Sequence, residues 1–550
     1  MSQAPPRPAT AAQGALATRS RASLLGRLER DRFDLIVIGG GISGVGVARE
    51  AALRGLSVAL FESRDFASGT SSRSTKLIHG GLRYLAMGDV ALVRSTSRER
   101  KVIYRLAPHL CERRWMVVPA RSWLELAKVR VGVTLYEKLG LVEREDRHRN
   151  WTREEISRQE PLLDTQRYAR ACVYREYLTD DAHLVLANAR DAARNGAALL
   201  NHARVEALFC EDGLAAGVEV ECQLTGRKLR VRGRAVVNAA GPWVEAVRRL
   251  EDASAAPFLH LAKGVHVVVP AARLPIRNLV LMTAADGRPV FAIRHGDCSY
   301  LGTTDTSHPS GADLWPKIER ADVDYLLDTA AHCFTGGRLR PDDVVAAWAG
   351  LRPLIAEPGV ATRNLSRRDE VLIGRARMLT LAGGKLTGYR PMARECVETA
   401  ARVCGLRLAP APREEAPLPG GDFDGDLARL AASLASETGL PGATCARLVR
   451  LYGSEAAAVV ARGAQPLVPD APALCGEIDW AVDVLGAASV EDVLYRRVRS
   501  ALYLPGARDA SARAIAARLR ALLGWDAARE RSELQAARQR LASDLAFRED

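Results

Sequence analysis

Between residues 33 and 405, short apolar runs alternate with longer stretches whose apolar positions recur at helical spacing. The runs at 34–38, 57–62, 235–238, 264–269, 290–293 and 378–382 predict β-strands. The stretches at 44–54, 90–105, 182–195 and 391–403 predict helices. Strand, helix, strand is the order of α/β units, and the strand-rich middle predicts an inserted, more antiparallel region. Proline and glycine cluster between 406 and 426 (Pro410, Pro412, Pro417, Pro419, Gly420, Gly421). Beyond them Ala, Leu, Arg and Glu recur with helical period to residue 550. The expected organisation is a flexible tail and short helix over 1–32, an α/β region over 33–405, and an all-helical domain over 406–550.

Composition narrows the function classes more than the fold. Of 550 residues, 48% are hydrophobic and 26% charged, which excludes a largely disordered chain. No run approaches the roughly 20 apolar residues of a membrane-spanning helix. The net charge is +13, from 70 arginines and 8 lysines against 65 acids. Those cations are scattered, with no zinc-finger or RNA-binding signature, so no nucleic acid is expected. The ten cysteines contain no CxxC pair, which points to reduced thiols and no metal or iron–sulfur centre. The acidic run Asp422-Phe-Asp424-Gly-Asp426 lacks the glycine and glutamate positions of a calcium loop. Residues 1–28 contain Arg and Ser but no acid, a pattern shared by a plain flexible tail and a mitochondrial presequence. Two arginine-rich amphipathic segments, 20–32 and 527–547, are candidates for contact with an anionic membrane surface.

The first chemical signal is FDLIVIGGGISGVGVAREAALRGLSVALFE. A strand meets Gly39-x-Gly41-x-x-Gly44, a helix follows, and a second strand ends at Glu62. Gly39 permits the tight turn, Gly41 lets backbone approach a pyrophosphate, and Gly44 lets helix pack on strand. Phosphates sit well at the helix N-terminus, where free N–H groups and the macrodipole favour negative charge. Glu62 is placed to hold ribose hydroxyls and to repel a 2′-phosphate. An adenine dinucleotide is implied; the motif alone does not separate FAD from NAD.

The loop after Glu62 does more. Ser68, Thr70, Ser71, Ser72, Ser74 and Thr75 suit the lining of a pyrophosphate, and His79-Gly80-Gly81 offers bare backbone to a flat ring. Arg83 and Tyr84 follow, one cationic and one an aromatic hydroxyl. Leu381-Ala-Gly-Gly-Lys-Leu-Thr387 reads as a strand, a glycine pair and a helix start aimed at a cofactor ring, and Val236-Val-Asn-Ala-Ala-Gly241 as a strand ending at a turn. With GGGISG, FASGTSSRSTKLIHGGLRYL, VVNAAGPW, KGVHVVVP, LGTTD, GLRPL and GGKLTGYR in this order, the chain resembles the aerobic, quinone-linked, FAD-dependent glycerol-3-phosphate dehydrogenase family. LPGGD, LYGSEA and EDVLYRR extend the resemblance into the helical region.

The resemblance implies an α/β fold: a Rossmann-like FAD-binding domain of the D-amino-acid-oxidase superfamily, a mixed or antiparallel substrate domain and a helical C-terminal domain. It implies oxidation of sn-glycerol 3-phosphate by FAD, with a membrane quinone as acceptor. The protein would be cytoplasmic, peripheral on the inner membrane, and a homodimer. An oxygen-reducing glycerol-3-phosphate oxidase, or another oxidase of the same flavoprotein superfamily, is the alternative. By similarity Arg83, Arg352 and Arg368 (or its neighbour Arg367) bind substrate, since arginine's planar fork matches phosphate. Tyr84 is expected to bond the substrate hydroxyls. Lys385 would stabilise negative charge on ring or substrate, and His266 is the candidate base. His79, Gly80, Gly241, Gly384, Leu386 and Thr387, with Thr70, Ser74 and the backbone of Val205, complete the expected cofactor contacts. Val265 and Gly388 depart from the family's usual Ser and Thr.

Overall fold

The computed structural model describes residues 14–80, 90–309, 315–356, 369–469 and 471–549. Its first sheet is built around β1 (Arg32–Ile38), whose apolar residues 35–38 are all buried, as befits a strand covered on both faces. Parallel neighbours flank it: β2 (Val58–Phe61) on one side and β10 (Arg227–Asn238) on the other. β7 (Ala198–Leu200) extends the sheet beyond β2. β18 (Leu379–Gly383) and the antiparallel β17 (Asp369–Ile373) extend it beyond β10. A hairpin of β8 (Ala203–Glu211) and β9 (Leu214–Cys222) pairs with the first half of β10. β10 is much longer than the expected 235–238. Leu229 and Val231 turn inward while Arg230 and Arg232 face solvent, the alternation of a strand buried on one side only.

The second sheet is the expected insertion, with strand order β15-β11-β14-β13-β12-β4-β6-β3. It comprises β3 (Leu77–Ile78), β4 (Cys111–Ala120), β5 (Arg149–Trp151), β6 (Arg170–Thr179), β11 (Leu259–Pro270), β12 (Leu279–Thr283), β13 (Pro289–His295), β14 (Cys298–Gly302), β15 (Thr306–His308) and β16 (Ala346–Ile355). β16 pairs along β11 and β5 along β6. Apart from the parallel pair β4–β12, its pairings are antiparallel.

After Asp426 the described elements are helices. They have no separate core. Leu448, Tyr452 and Trp480 pack with Val37 and Val45 of the first sheet's core, and Val490, Leu494 and Leu519 pack with Met116 and Tyr174 of the second. Charge reinforces the contact. Arg496 and Arg497 both reach Asp65 (2.5 and 2.6 Å), and Arg499 reaches Asp180 and Asp181 (both 2.6 Å). Burying these arginines is tolerable because each meets a carboxylate with good geometry.

The structure corrects one expectation at the chain ends and decides another point that the sequence left open. From residue 14 onward the N-terminal segment is docked rather than free: the Leu16 N–H donates to the Val484 carbonyl at 3.0 Å, and the Thr18 hydroxyl to the Ala487 carbonyl at 2.9 Å. Nor does the helix Arg21–Arg30 offer its leucines to lipid, because Leu25 and Leu28 are buried with Phe33 and Val231. The helix Ala527–Ser543 likewise turns Ala537 and Leu541 inward, and Phe547 beyond it is fully buried.

Candidate active site

Where β1 ends, the chain turns through Gly39 at φ +116° and enters the helix Ile42–Leu53 with Gly41 at its N-cap. The turn is tight enough to dictate its residues. A Cβ on Gly44 would lie 1.9 Å from the Gly39 carbonyl oxygen, and one on Gly39 would lie 2.5 Å from the Ala239 carbonyl oxygen. This is a bare-backbone cradle at a helix N-terminus, suited to phosphate. Glu62, at the end of β2, closes its side. Its carboxylate accepts the Gly40 N–H at 2.7 Å and the Arg64 N–H at 2.8 Å. Desolvation in the crevice raises the Glu62 pKa above the usual glutamate value, although those two N–H donors pull it down. A carboxylate has further acceptor capacity for ribose hydroxyls. The cradle and Glu62 thus fit the adenylate part of FAD.

The hydroxyl loop divides its tasks. Ser71 accepts the Ile42 N–H at 2.9 Å and so fixes the helix start. Thr70 donates to the Leu351 carbonyl at 2.6 Å, tying the loop to β16. Ser74 donates to Asp181 at 2.8 Å, so its hydroxyl serves the network that also holds Lys76. Burial pulls the Lys76 pKa down to about 8 against the attraction of Asp181. Gly80 lies against the Tyr136 ring, where a Cβ would come within 2.4 Å, and its N–H donates to the Tyr136 hydroxyl at 3.2 Å. The His79 carbonyl accepts the Thr387 hydroxyl at 3.1 Å, joining the two segments expected to hold the flavin. Gly241 opens the turn after β10 at φ +57°. Val205 lies on β8 just past Ala203, whose N–H donates to the Glu62 carbonyl at 2.8 Å; this places it beside the expected ribose end.

Between the two sheets lies a cavity of about 600 Å³, lined by His79, Glu176, His266, Arg352 and the Gly384–Lys385–Leu386–Thr387 segment, among others. His266, on β11, is 1% exposed. Its ring stacks on Trp348 with centroids 4.8 Å apart, and its Nε2 lies 2.9 Å from the Thr75 hydroxyl. Its Nδ1 is buried without a hydrogen-bond partner among the described residues. Desolvation, followed by the charges of Arg352 and Lys76, holds its pKa well below the usual imidazole value. The ring is therefore neutral at physiological pH and able to accept a proton. Arg352, on β16, spans Asp305 (2.9 Å), the Thr303 hydroxyl (2.9 Å) and the Thr304 carbonyl (3.2 Å). Arg83, Tyr84, Arg367 and Arg368 lie outside the described residues.

Sequence reasoning passed over Glu176. It is buried on β6, pairs with Arg100 at 3.1 Å and lies 3.4 Å from the Tyr136 hydroxyl. Burial raises its pKa to about 7, outweighing the attraction of Arg100. Arg288 and Asp305 also line the cavity; LGTTD was legible as a motif, but nothing in its spacing aimed Asp305 at Arg352. Elsewhere, Asp65, His202 and Asp492 bring three potential metal-ligand atoms within 4.8 Å of one another. Arg496 and Arg497 already compensate these carboxylates, so the cluster reads as an ion-pair network.

Comparison with known proteins agrees with this geometry. Residues 34–388 match the model of the FAD dependent oxidoreductase family, and residues 413–530 match the C-terminal domain of alpha-glycerophosphate oxidase. The chain is 37% identical over 453 residues to the aerobic glycerol-3-phosphate dehydrogenases of Staphylococcus haemolyticus and Staphylococcus aureus, covering 80% of this chain and 81% of each relative. Among solved structures it resembles the glycerol-3-phosphate dehydrogenase of Bacillus halodurans complexed with FAD, with TM-score 0.80, 29% identity, 97% of this chain and 99% of that one covered. It shares a fold with the L-alpha-glycerophosphate oxidase of Mycoplasma pneumoniae (TM-score 0.55, 19% identity, 70% and 97% covered). The chain belongs to the FAD-dependent oxidoreductases, in the family of the aerobic glycerol-3-phosphate dehydrogenases.

Proposed function

We propose that the protein oxidises sn-glycerol 3-phosphate to dihydroxyacetone phosphate and delivers the electrons to a membrane quinone. The observation that carries the reading is the meeting of a neutral, buried His266 with Arg352 and Lys385 in one cavity, next to the glycine cradle, in a chain whose relatives are named aerobic glycerol-3-phosphate dehydrogenases. Bound FAD supplies the hydride acceptor. The protein does the rest. Arg352, with Arg83 and Arg368, holds the phosphate by charge-assisted hydrogen bonds. Tyr84 orients the hydroxyls. As hydride leaves carbon 2, the proton of its hydroxyl passes to His266 Nδ1. Thr75 and Trp348 fix the ring in the required orientation. Lys385 provides positive charge where negative charge develops. Glu62 would hold the 2′-hydroxyl, Gly39, Gly41 and Gly44 with Thr70 and Ser74 would hold the pyrophosphate, and the backbone of Val205 would meet the adenine. His79, Gly80, Gly241, Gly384, Leu386 and Thr387 would complete the hold on the flavin.

Among the described residues no helix is long and apolar enough to cross a membrane, and a quinone would be met at the membrane surface. We read the protein as a peripheral, dimeric enzyme on the cytoplasmic face of the inner membrane. The match to a glycerophosphate oxidase domain favours a second reading, in which oxygen is the acceptor. An anaerobic titration tests both. Glycerol 3-phosphate should bleach the flavin band, and a quinone analogue should restore it faster than oxygen does. A flavin band indifferent to glycerol 3-phosphate would overturn the substrate; rapid recovery in air with peroxide release would favour the oxidase.

A further inference from the structure

Lys76 stands in a buried charge network that the chemistry proposed above leaves unused. It follows Thr75, whose hydroxyl meets His266 Nε2. Its side chain is 3% exposed, on a backbone at φ +60°, a conformation that favours glycine. The ammonium donates to the Ser72 carbonyl at 3.0 Å and to the two Asp181 oxygens at 3.0 and 3.1 Å. It also lies 5.0 Å from the centre of the Trp348 ring. The same indole stacks on the His266 imidazole, with centroids 4.8 Å apart and planes 10° apart. One aromatic side chain thus serves both a cation and the candidate base.

Holding the fold together does not account for this charge. A buried ion pair adds little net stability over apolar side chains of similar volume. Asp181 has other partners, Arg499 at 2.6 Å and the Ser74 hydroxyl at 2.8 Å, so a neutral residue at 76 would not strand it. What the ammonium supplies is a fixed positive charge beside the imidazole. The indole face attracts a cation through its quadrupole, and protonating His266 would set a second cation against the same ring. The charged groups that face the imidazole are Arg352 from β16, itself paired with Asp305, and Lys76, paired with Asp181; Lys385 lines the same cavity. Tyr300 on β14 presents its ring edge-on at 6.4 Å, and burial keeps its phenol protonated. Behind Lys76, Asp180 and Asp181 meet Arg499. Among the described residues neither nitrogen of the His266 ring meets a carboxylate. Desolvation first, then Arg352 and Lys76, hold the imidazole pKa down. Lys76, with its own pKa near about 8, stays charged over the range in which an imidazole titrates.

We propose that Lys76 is a positioning residue for the proton transfer: its ammonium, seated on Asp181 and the Trp348 indole, withholds a second charge from the His266 imidazole. The ring then meets the substrate neutral, and an imidazolium formed during turnover is driven to release its proton. At a separation of up to about 10 Å and an effective dielectric of about 20, one unit charge moves an imidazole pKa by about 1 unit or more. That this serves catalysis rests on the function proposed above; the effect of Lys76 on the ring does not.

The test is an NMR titration of His266 in FAD-loaded full-length protein with isotope-labelled histidine, the His266→Gln variant identifying its resonance. The pH profile of kcat/KM for dye-coupled oxidation of glycerol 3-phosphate is measured alongside. Lys76→Met removes the charge and keeps the stem; Lys76→Gln removes the charge and keeps a donor for the Ser72 carbonyl. In each, the His266 midpoint should rise by about 1 pH unit, and the acid limb of the profile with it. Lys76→Arg keeps the charge and should titrate like the wild type. If the methionine variant loses its flavin, the glutamine variant decides. A midpoint unmoved in the neutral variants would overturn the proposal. So would an equal rise in the arginine variant, which would make shape rather than charge the cause. A raised midpoint with an unmoved acid limb would leave the link between Lys76 and the ring standing and sink His266 as the base instead.

Discussion

The two sheets face the cavity with different chemistry. The first contributes mainly main chain: β1 ends in a turn whose glycines leave N–H groups and empty space, with Glu62 at its side and Lys385 just past β18 as its charged side chains. The second contributes side chains: Glu176 from β6, His266 from β11 and Arg352 from β16, each a single position on a long strand. Main-chain recognition needs a contiguous stretch of special residues and tolerates little change. Side-chain recognition can be assembled from strands far apart in sequence. The helical region belongs to neither scheme. It sends Arg496, Arg497 and Arg499 to the acids that flank the hydroxyl loop, where like Arg352 they are ion-paired, but they lie outside the cavity lining.

Mutations can break this contrast, beginning with the largest effect. Gly44→Val forces a side chain into the Gly39 carbonyl and should yield protein without the visible flavin spectrum; full flavin content would refute recognition by bare backbone. His266→Gln can keep the bond to Thr75 and removes the proton acceptor. It should retain flavin while kcat falls by about 10²–10⁴, and an unchanged kcat would shift the role to Glu176. Asp65→Ala leaves Arg496 and Arg497 buried without their shared partner. It should cost about 3–5 kcal/mol in denaturant unfolding, and a loss well below 1 kcal/mol would show that the ion pairs do not hold the helical region to the loop. Arg352→Lys keeps the charge but loses the fork; KM for glycerol 3-phosphate should rise about 10–100-fold with flavin content unaltered, which amounts to about 1–3 kcal/mol.

The smallest effect concerns His202. Desolvation lowers its pKa, but the Asp492 carboxylate 2.9 Å away outweighs this and raises it above the usual imidazole value. A histidine with a raised folded-state pKa adds stability that is complete below about 6.5, its unfolded value, and is lost as pH rises through the folded value. His202→Asn should therefore flatten the stability profile from about pH 6.5 upward. A profile identical to wild type would remove His202 from the ion-pair network.

Sequence patterning located strands and helices well where burial was complete, as at β1 and the helix Asp181–Arg194, because continuous apolar runs and long helical periods are local signals. It shortened β10, whose first half is exposed on one face and carries arginines at alternate positions that read as loop. It gave no sign that Asp181, 107 residues away, takes the Ser74 hydroxyl. It left the partner of both terminal helices open. Amphipathic spacing announces an apolar face without saying whether protein or lipid covers it, and here the core covers Leu25, Leu28 and Phe547 while Leu124 and Val131 on the helix Trp123–Leu139 are left bare.

The sequence by itself determined the nucleotide cradle, the acid at Glu62, the hydroxyl loop and the membership of a flavoprotein family, because each is written in consecutive residues whose spacing is the function. Only the tertiary structure decided that His266 is neutral, that Arg352 faces Asp305, that Glu176 stands in the cavity wall and that three arginines near residue 500 hold the loop near residue 70. Protonation and charge pairing depend on burial and on neighbours a few ångströms away, and those neighbours are supplied by chain segments that the sheets bring together from hundreds of residues apart.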